Sequence, residues 1–332
     1  MRYAMITAGI GFVGANIARR LLADGLVDKC VLVDFFGGYV SPIKNLIVDY
    51  RRHRLDGIED GVVVERGQTQ SMSFIIQMLY KYRPVYIFHL AALPLATIEN
   101  LTAEEAMEGA VVSTANLLEG CQVLKGQVGY EPGRFVYASS SMVYGDFQYT
   151  PADEAHPLAP RNIYGAMKAA GETITLGLAR TFNVKAVCIR PSAVYGPTDM
   201  NRRVSQIFIE NAVQGKKSII QGADEALDFT YVEDTANGFV LAATKEGAIG
   251  EVFNITAGNA FTLLEYMEIL KEHFPEASYE VHDRDHARPK RGTLSIEKAR
   301  RILGYQPAHT LRQGLEKYIA FIKKYGTPGN PE

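Results

Sequence analysis

Short apolar runs alternate with longer helical patterns through the first 190 residues, and this alternation sets the main limit on the fold. The predicted strands are Tyr3–Ile6, Cys30–Val33, Val62–Glu65, Val85–Phe88, Arg134–Ala138 and Ala186–Ile189. The predicted helices between them are Gly14–Ala23, Met72–Lys81, Thr102–Leu124 and Asn162–Phe182. Near-continuous apolar runs suit strands that are buried on both faces. Their strict alternation with helices predicts an α/β fold with a doubly wound, parallel Rossmann sheet.

The pattern changes after Arg190-Pro191, where glycine, proline and polar residues become frequent. We expect residues 1–190 to form the sheet domain and residues 191–332 to form a smaller C-terminal α/β lobe that binds substrate. Apolar stretches within residues 229–245 are expected to return to the first domain. The polar tail after Gly326 is expected to fray.

Charge and cysteine content narrow the partners that this chain can have. A net charge of -2 gives no reason to expect nucleic acid or an anionic membrane surface. The three cysteines, Cys30, Cys121 and Cys188, stand in apolar segments and are expected to be reduced core residues. The strand pattern starts at Tyr3 and no long apolar run follows, so we expect a cytoplasmic protein without a membrane span.

A glycine-rich turn, Thr7-Ala8-Gly9-Ile10-Gly11-Phe12-Val13-Gly14, joins the first strand to the first helix. Glycine lets the backbone approach a pyrophosphate, and a helix N-terminus offers free N–H groups. Asp34 ends the second strand, where a carboxylate binds the adenosine ribose hydroxyls and repels a 2′-phosphate. The succession of strand, glycine turn, helix, strand and aspartate predicts dinucleotide binding, with NAD favoured over NADP. The alternative is that Asp34 is a simple turn residue. Arg51-Arg52-His53-Arg54 is expected to be a solvated helix face.

Tyr164 and Lys168 lie four residues apart, so they share one face of a predicted helix. An ammonium group beside a phenol favours the phenolate, and we therefore expect the pKa of Tyr164 to fall. Such a tyrosine can take a proton from an alcohol while a hydride leaves the same carbon. The spacing is common on ordinary helices, so this pair alone is weak evidence for catalysis.

Eight short motifs occur together along nearly the whole chain. They are Gly11-Phe12-Val13-Gly14, His89-Leu90-Ala91-Ala92, Ser139-Ser140-Ser141-Met142-Val143-Tyr144-Gly145, Tyr164-Gly165-Ala166-Met167-Lys168, Arg190-Pro191-Ser192-Ala193-Val194-Tyr195-Gly196-Pro197, Asp228-Phe229-Thr230-Tyr231-Val232-Glu233-Asp234, Arg288-Pro289-Lys290-Arg291-Gly292 and Lys298-Ala299-Arg300-Arg301-Ile302-Leu303-Gly304. In this combination the chain resembles the extended short-chain dehydrogenase/reductases, in particular the NAD-dependent sugar-nucleotide epimerase/dehydratase family.

The resemblance implies a catalytic triad of Ser140, Tyr164 and Lys168, with Ser140 on the reacting sugar oxygen and Lys168 on the nicotinamide ribose. The positions that it implies for NAD are Ala8, Gly9, Gly11, Phe12, Val13, Gly14, Asp34, Gln68, Leu90, Ala91, Ala92, Ser139, Tyr164, Lys168 and Pro191. The positions that it implies for the substrate are Ser140, Ser141, Tyr164, Ala193, Arg202, Arg203 and Arg288. His89 is interpreted as structural, because its segment lines the cofactor cleft with backbone.

The chain departs from the family pattern at several positions. Ala8 replaces the first glycine of the turn, and if that position needs a positive φ, alanine costs roughly 1 kcal/mol. Gln68 stands where an Asp is expected near the adenine, and Ala193 where an Asn usually contacts substrate. Leu227 replaces an arginine that commonly grips the substrate pyrophosphate. The candidates to replace its charge are Arg202, Arg203 and Arg288, since a planar guanidinium fork matches phosphate oxygens.

Residues after Ser140 bear on the reaction. The family's 4,6-dehydratases carry an Asp-Glu pair there and its decarboxylases a Glu, whereas this chain has Ser141 and Met142, which are poor acids and bases. We therefore favour a 4-epimerase that passes through a 4-keto intermediate. The alternative is a nucleotide-sugar C4 dehydrogenase or a 4-keto-sugar reductase, and an NAD-sensing binding module is a more distant alternative.

Several further expectations concern ligands and assembly. The substrate is expected to be a nucleotide sugar, most plausibly a UDP-sugar, whose 6-carboxylate, if present, could be met by Arg202, Arg203 or Arg190. In related proteins the helices corresponding to Thr102–Leu124 and Asn162–Phe182 form a four-helix interface, which implies a homodimer. The segment from His282 to His286 has four potential metal ligands without regular spacing, so we expect a solvated loop and no metal.

Overall fold

The computed structural model describes residues 1–35, 50–91 and 102–327 of the 332-residue chain. The strands, numbered in chain order, are β1 Tyr3–Thr7, β2 Lys29–Asp34, β3 Val62–Arg66, β4 Tyr86–His89, β5 Arg134–Ala138, β6 Ala186–Pro191, β7 Val194–Tyr195, β8 Ser218–Gln221, β9 Ala226–Leu227, β10 Thr230–Tyr231, β11 Val252–Ile255, β12 Phe261–Thr262 and β13 Tyr279–His282. The α-helices are α1 Phe12–Ala23, α2 Met72–Tyr82, α3 Ala103–Met107, α4 Ser113–Val128, α5 Ile163–Phe182, α6 Val204–Val213, α7 Val232–Thr244, α8 Leu263–Lys271, α9 Glu297–Leu303 and α10 Leu311–Tyr325. None of the helices in these ranges is long and apolar enough to cross a membrane.

The six strands and four helices predicted from the sequence are present. The predicted helix Thr102–Leu124 differs in detail, because a π-helical turn at Glu108–Val112 separates α3 from α4, which continues to Val128. The sequence analysis missed β11, a four-residue strand that contains the polar Asn254 and follows a turn with two glycines. So short and mixed a run carries little periodic signal.

Seven strands form one parallel sheet in the order β11-β6-β5-β4-β1-β2-β3. In the register of this sheet, Thr7 at the end of β1 lies between Val33 of β2 and His89 of β4. The strand order reverses at β1, so the crevice between the ends of β1 and β4 is the topological switch point. Ligands of open α/β sheets bind at such a crevice, outside the carboxyl ends of the strands.

Helices cover both faces of the sheet, as a doubly wound fold requires. On one face α1 packs against α7, and Ile17 and Phe239 enter the same buried core. On the other face α2, α4 and α5 pack together, with Leu79 and Leu118 in a second core. The helix α7 lies within residues 229–245, the stretch expected to return to the first domain. The domain boundaries themselves stay a prediction.

The remaining elements surround a third core that is rich in aromatic residues. Tyr195, Phe208, Tyr266 and Tyr318 are almost completely buried there. Helices α6, α8 and α10 supply most of the other side chains of this core. We call these elements the C-terminal lobe. They lie next to the sheet in space because β7 and α6 follow directly after the end of β6.

Candidate active site

The glycine-rich turn after β1 has a closely packed backbone. Gly11 N–H donates to the carbonyl oxygen of Ala8 at 2.9 Å. A Cβ atom on Gly9 would lie 2.7 Å from the carbonyl oxygen of Ile6, and one on Gly14 would lie 2.6 Å from that of Ala8. Ala8 has a φ of +52°, so the positive φ considered from the sequence is present, and alanine costs roughly 1 kcal/mol there. The turn fits a dinucleotide pyrophosphate, since it brings bare backbone to the N-terminus of α1.

Phe12 and Val13 of the same turn point their side chains into the protein. Phe12 is buried and packs with Val194 of β7 and Val232 of α7, with Val13 beside them. The side chain of Phe12 is therefore not free to meet the predicted cofactor, whereas that of Val13 is only partly covered. Their side chains instead join the glycine turn to the connection that enters the C-terminal lobe.

Thr7, whose role the sequence analysis did not identify, holds the segment after β4. Its Oγ1 accepts hydrogen bonds from the N–H groups of Leu90 at 3.1 Å and Ala91 at 3.0 Å. The same hydroxyl must then donate to His89 Nδ1, 2.8 Å away. His89 Nε2 correspondingly donates to Thr114 Oγ1 at 3.1 Å. Leu90 and Ala91 thus lie just after β4, beside the switch-point crevice. Their contact with the cofactor stays a prediction.

His89 is fully buried, and its ring is fixed in this bonding pattern. Burial, with a smaller effect of the charge on Lys168, lowers the pKa of His89 to about 3. The ring is therefore neutral throughout the physiological range. A neutral histidine that is bonded on both nitrogens agrees with the structural interpretation made from the sequence.

Other residues predicted to contact the cofactor lie at the carboxyl ends of strands. Asp34 ends β2, Gln68 follows β3, and Pro191 ends β6. Ser139 follows β5 and is buried, yet its Oγ has no hydrogen-bond partner within the described part of the chain. Such an unpaired buried hydroxyl at the crevice fits a ligand that would complete its bonding. The predicted contact at Ala92 lies outside the described residues.

The helix α5 brings Tyr164 and Lys168 to the same crevice. Asn162 caps its N-terminus, accepting a hydrogen bond from Gly165 N–H at 2.9 Å. Gly165 allows the helix to approach the turn after Ser140, because a Cβ atom there would lie 2.5 Å from the carbonyl oxygen of Met142. The sequence between the tyrosine and the lysine therefore sets how closely the helix packs on the strand end.

Lys168 is buried and donates from Nζ to the carbonyl oxygen of Ala138 at 2.6 Å. Burial lowers the pKa of Lys168 to about 7. Burial also raises the pKa of Tyr164, and the charge of Arg203 and a hydrogen bond with Ser140 only partly oppose that rise. The predicted lowering of the tyrosine pKa by Lys168 is therefore wrong for the free protein. The reason is that desolvation disfavours both charged forms.

The residues predicted to bind substrate separate into two groups. Ser140 and Ser141 are buried beside Tyr164, and Ala193 follows β6 with a φ of +37°. Arg203 begins α6, and its charge reaches both Tyr164 and Asp199. Arg202 and Arg288 instead have exposed side chains. Arg202 lies 4.0 Å from Glu210, and Arg288 forms an ion pair with Asp285 at 3.1 Å.

Arg291 is a cation that the sequence analysis did not single out. It is partly buried, and its Nε has no hydrogen-bond partner within the described ranges. Burial lowers its pKa to about 10, and the charges of Arg203 and Arg288 add to that lowering, against an opposing effect of Glu225. Arg203, whose charge also reaches Tyr164, therefore lies near enough to Arg291 for the two positive charges to interact. The motif Arg288-Pro289-Lys290-Arg291-Gly292 contains three cations. The sequence does not tell which of them is buried, and the fold does.

Two interpretations of arginines from the sequence need correction. Arg190 does not face the crevice, because it is buried and forms an ion pair with Glu172 of α5, where Nε lies 3.0 Å from Oε2. Its Nη1 also donates to Tyr144 Oη at 2.9 Å. Arg54 is not part of a solvated face either, since its guanidinium donates to the carbonyl oxygens of Ile10 and Thr198. The local sequence gives no sign of these distant partners.

Within the described ranges, no cluster of three or more His, Cys, Asp or Glu residues could hold a metal ion. The crevice instead collects the hydroxyls of Ser139, Ser140, Ser141 and Tyr164, the ammonium group of Lys168, the charge of Arg203 and bare backbone at the N-terminus of α1. This set suits the binding of a phosphate-rich ligand and the movement of a proton to or from an alcohol oxygen.

Comparisons with known proteins identify the family. The model of the NAD-dependent epimerase/dehydratase family matches residues 4–256. A dTDP-glucose 4,6-dehydratase of Neisseria meningitidis is 28% identical over 96% of this chain and 92% of its own length. An uncharacterized UDP-glucose epimerase, YtcB, of Bacillus subtilis is 27% identical over 96% of this chain and 97% of its own.

The solved structures show the same fold. The UDP-glucuronic acid 4-epimerase of Bacillus cereus, in complex with UDP-glucuronic acid and NAD, superposes with a TM-score of 0.86. It is 24% identical, and the match covers 97% of this chain and 99% of that one. The chain therefore belongs to the NAD-dependent epimerase/dehydratase family, as an enzyme whose cofactor is NAD.

Proposed function

We propose that this chain is a nucleotide-sugar 4-epimerase acting on a UDP-sugar through a transient 4-keto intermediate. The observation that carries the proposal is the pair of residues after Ser140. Ser141 and Met142 are buried in the turn beside Tyr164, and neither bears a carboxyl group. Elimination of water needs an acid and a base there, and a hydroxyl or a thioether is neither near neutral pH.

The roles follow from where the side chains lie. In the free protein burial keeps Tyr164 protonated, and the positively charged nicotinamide ring of bound NAD would favour the phenolate. As the phenolate, Tyr164 takes the proton of the sugar C4 hydroxyl and later returns it. Ser140 hydrogen-bonds the same oxygen and keeps it in line with the phenol. The chemistry that NAD would supply when bound is reversible hydride transfer at C4 of the sugar. Lys168 would hold the nicotinamide ribose. Its Nζ donates to the carbonyl oxygen of Ala138 at the end of β5, which keeps the ammonium group at the crevice.

The substrate pyrophosphate is assigned to the inward arginines. Leu227, at the position where the family usually has an arginine, packs partly buried in the aromatic core of the C-terminal lobe. Arg203 and Arg291 supply positive charge near the crevice instead. A guanidinium fork matches phosphate oxygens in pairs, which makes these two residues suitable replacements.

A homodimer is part of the proposal. Apolar side chains remain exposed along α3, the π-helical turn and α4, namely those of Met107, Val112, Val123 and Val128. A surface of this kind, beside α5, suits pairing with the same surface of a second copy. Sedimentation is expected to give twice the 36.6 kDa mass of one chain.

The activity test uses purified protein without added cofactor. UDP-glucose, UDP-galactose, UDP-glucuronate and dTDP-glucose are each incubated with it, and proton NMR follows the products. The expected result is a sugar inverted at C4 with no lasting NADH absorbance. A 4-keto-6-deoxy product would identify a dehydratase. NADH formed in proportion to enzyme or substrate, without inverted product, would identify a dehydrogenase.

A further inference from the structure

The segment Tyr50–Asp56 contacts both the glycine turn and the C-terminal lobe. Arg54 makes the direct connection: Nη1 donates to the carbonyl oxygen of Ile10 at 3.1 Å. Nη2 and Nε of the same guanidinium donate to the carbonyl oxygen of Thr198 at 2.9 and 3.3 Å. One planar group thus bonds the turn predicted to hold the NAD pyrophosphate and the chain that leads to Arg203.

Other contacts hold this segment from both sides. Arg19 of α1 donates to the carbonyl oxygens of Arg54 at 3.2 Å and Asp56 at 2.8 Å. On the lobe side the His53 ring lies 4.1 Å from the ring centre of Tyr325 in α10. Tyr50 is fully buried, and its hydroxyl bonds to the carbonyl oxygen of Gly326. The position of Arg54 is therefore set by packing and is not that of a loose surface arginine.

The chain on the lobe side of Arg54 is strained and charged. Thr198 has a φ of +70° and Arg202 a φ of +49°, which non-glycine residues adopt only when their surroundings impose it. Asp199 is fully buried, and its Oδ2 has no hydrogen-bond partner among the described residues. The charges of Arg203 and Arg54 both act on this carboxyl group. The charges of Arg54 and Arg203 thus reach the same buried acidic side chain.

We propose that Arg54 is a positioning residue that couples NAD binding at the glycine turn to nucleotide binding in the C-terminal lobe. The proposal rests on the proposed function, since it takes the residues after Thr198 to contact the substrate. A ligand that orders either loop also orders the other through the guanidinium, so each ligand tightens the binding of its counterpart. Such coupling is reciprocal by thermodynamic necessity.

The test measures binding and not turnover. NADH fluorescence is titrated with nucleotide-free protein, alone and with saturating UDP, and again with saturating dTDP. The variants are Arg54→Ala and Arg54→Lys, and the matched control is Arg52→Ala. Arg52 is exposed, and within the described part of the chain its Nε donates to the neighbouring His53 at 3.3 Å. Lysine keeps the charge but lacks the planar fork that reaches the two carbonyl groups from separate nitrogen atoms.

Wild type and the control are expected to bind NADH several-fold more tightly when a nucleoside diphosphate is present. Arg54→Ala should bind NADH roughly tenfold more weakly and lose that enhancement, and Arg54→Lys should fall between them. If Arg54→Ala does not fold, Arg54→Lys decides the question. Equal enhancement in wild type and the Arg54 variants, or none in wild type with either diphosphate, overturns the proposal. Because this experiment measures binding and no turnover, its interpretation does not depend on the outcome of the epimerase assay.

Discussion

Lys168 Nζ lies 2.6 Å from the carbonyl oxygen of Ala138 and 5.9 Å from the ring centre of Tyr164. In the free protein the lysine is thus fastened to the end of β5 and is not bonded to the phenol. Its burial lowers its pKa to about 7 from an ordinary value of 10.5. The position of the lysine at the crevice therefore lowers the free energy of unfolding, because a buried ammonium group loses its hydration.

The first prediction concerns stability against pH. Between pH of about 7 and 10.5 the unfolded chain keeps a proton on Lys168 that the folded protein has lost. The unfolded state binds more protons there, so the free energy of unfolding must rise with pH across this window. The free energy of unfolding of Lys168→Met should lack this rise. Its excess over that of wild type should be largest at a pH of about 7 and below. Urea denaturation at both ends of the window measures it.

Lys216→Met is the control for that experiment, since Lys216 is exposed on the surface. Its pH profile should run parallel to that of wild type. Parallel profiles for wild type and Lys168→Met would show that the lysine is charged in the folded protein, contrary to the low pKa.

The second prediction concerns proton transfer. Tyr164→Phe removes the group that takes the C4 hydroxyl proton, so kcat should fall by about 10²- to 10⁴-fold. NADH binding should stay near that of wild type, because the phenyl ring keeps the shape of the site. Tyr149→Phe is the control, since Tyr149 is exposed and its hydroxyl bonds only Asp153 among the described residues. Comparable losses of kcat in both variants would count against a catalytic tyrosine.

The sequence predicts well those parts of the site that depend on local chain geometry. A glycine turn between a strand and a helix, an acid at the end of β2 and a Tyr/Lys pair on α5 each follow from spacing alone. All of them come together because parallel strands bring their carboxyl ends to one edge. The strand and helix pattern was predictable for the same reason, since it is a matter of period and length.

What the sequence could not give depends on contacts between distant segments. The pKa of Tyr164 follows from burial as well as from its neighbour four residues away, and burial is decided by the fold. Arg54 bonds a residue 144 positions away, so the charged run that contains it was interpreted as solvated. Arg190 is paired with a residue 18 positions away, so it was interpreted as available to the substrate. Which of Arg288 and Arg291 turns inward is also set by packing and not by the motif.

The third prediction uses the strained alanine of the glycine turn. Ala8 has a positive φ, where a Cβ atom costs roughly 1 kcal/mol and glycine costs none. Ala8→Gly should therefore raise the free energy of unfolding by up to about that amount. Ala23→Gly, at the end of α1, should lower it by up to about 1 kcal/mol. Thermal and urea denaturation measure the change in the free energy of unfolding for both variants. A destabilised Ala8→Gly protein would contradict the strain argument.

The fourth prediction concerns the buried ion pair of Glu172 and Arg190, which ties α5 to the end of β6. Removing either partner leaves a buried charge unpaired, so Glu172→Leu or Arg190→Leu alone should cost about 3–5 kcal/mol of unfolding free energy. The double variant should cost clearly less than the sum, because no lone charge remains. The exposed pair of Asp146 and Arg161 is the control, and its single variants should change stability by less than about 1 kcal/mol. Additive losses at the buried pair would refute the argument.

The fifth prediction separates two arginines of one motif. Arg291 is partly buried, its Nε has no hydrogen-bond partner among the described residues, and its charge interacts with that of Arg203. Arg288 is exposed and already paired with Asp285. If the inward pair binds the substrate pyrophosphate, Arg291→Gln should raise the KM for the nucleotide sugar roughly tenfold, since a charge-assisted bond to phosphate is lost. Arg288→Gln should leave KM within about twofold of wild type, because a surface ion pair contributes little. Steady-state kinetics on the sugar found active in the product assay measures both. An effect of Arg288→Gln larger than that of Arg291→Gln would return the phosphate site to the residue that the motif alone suggested.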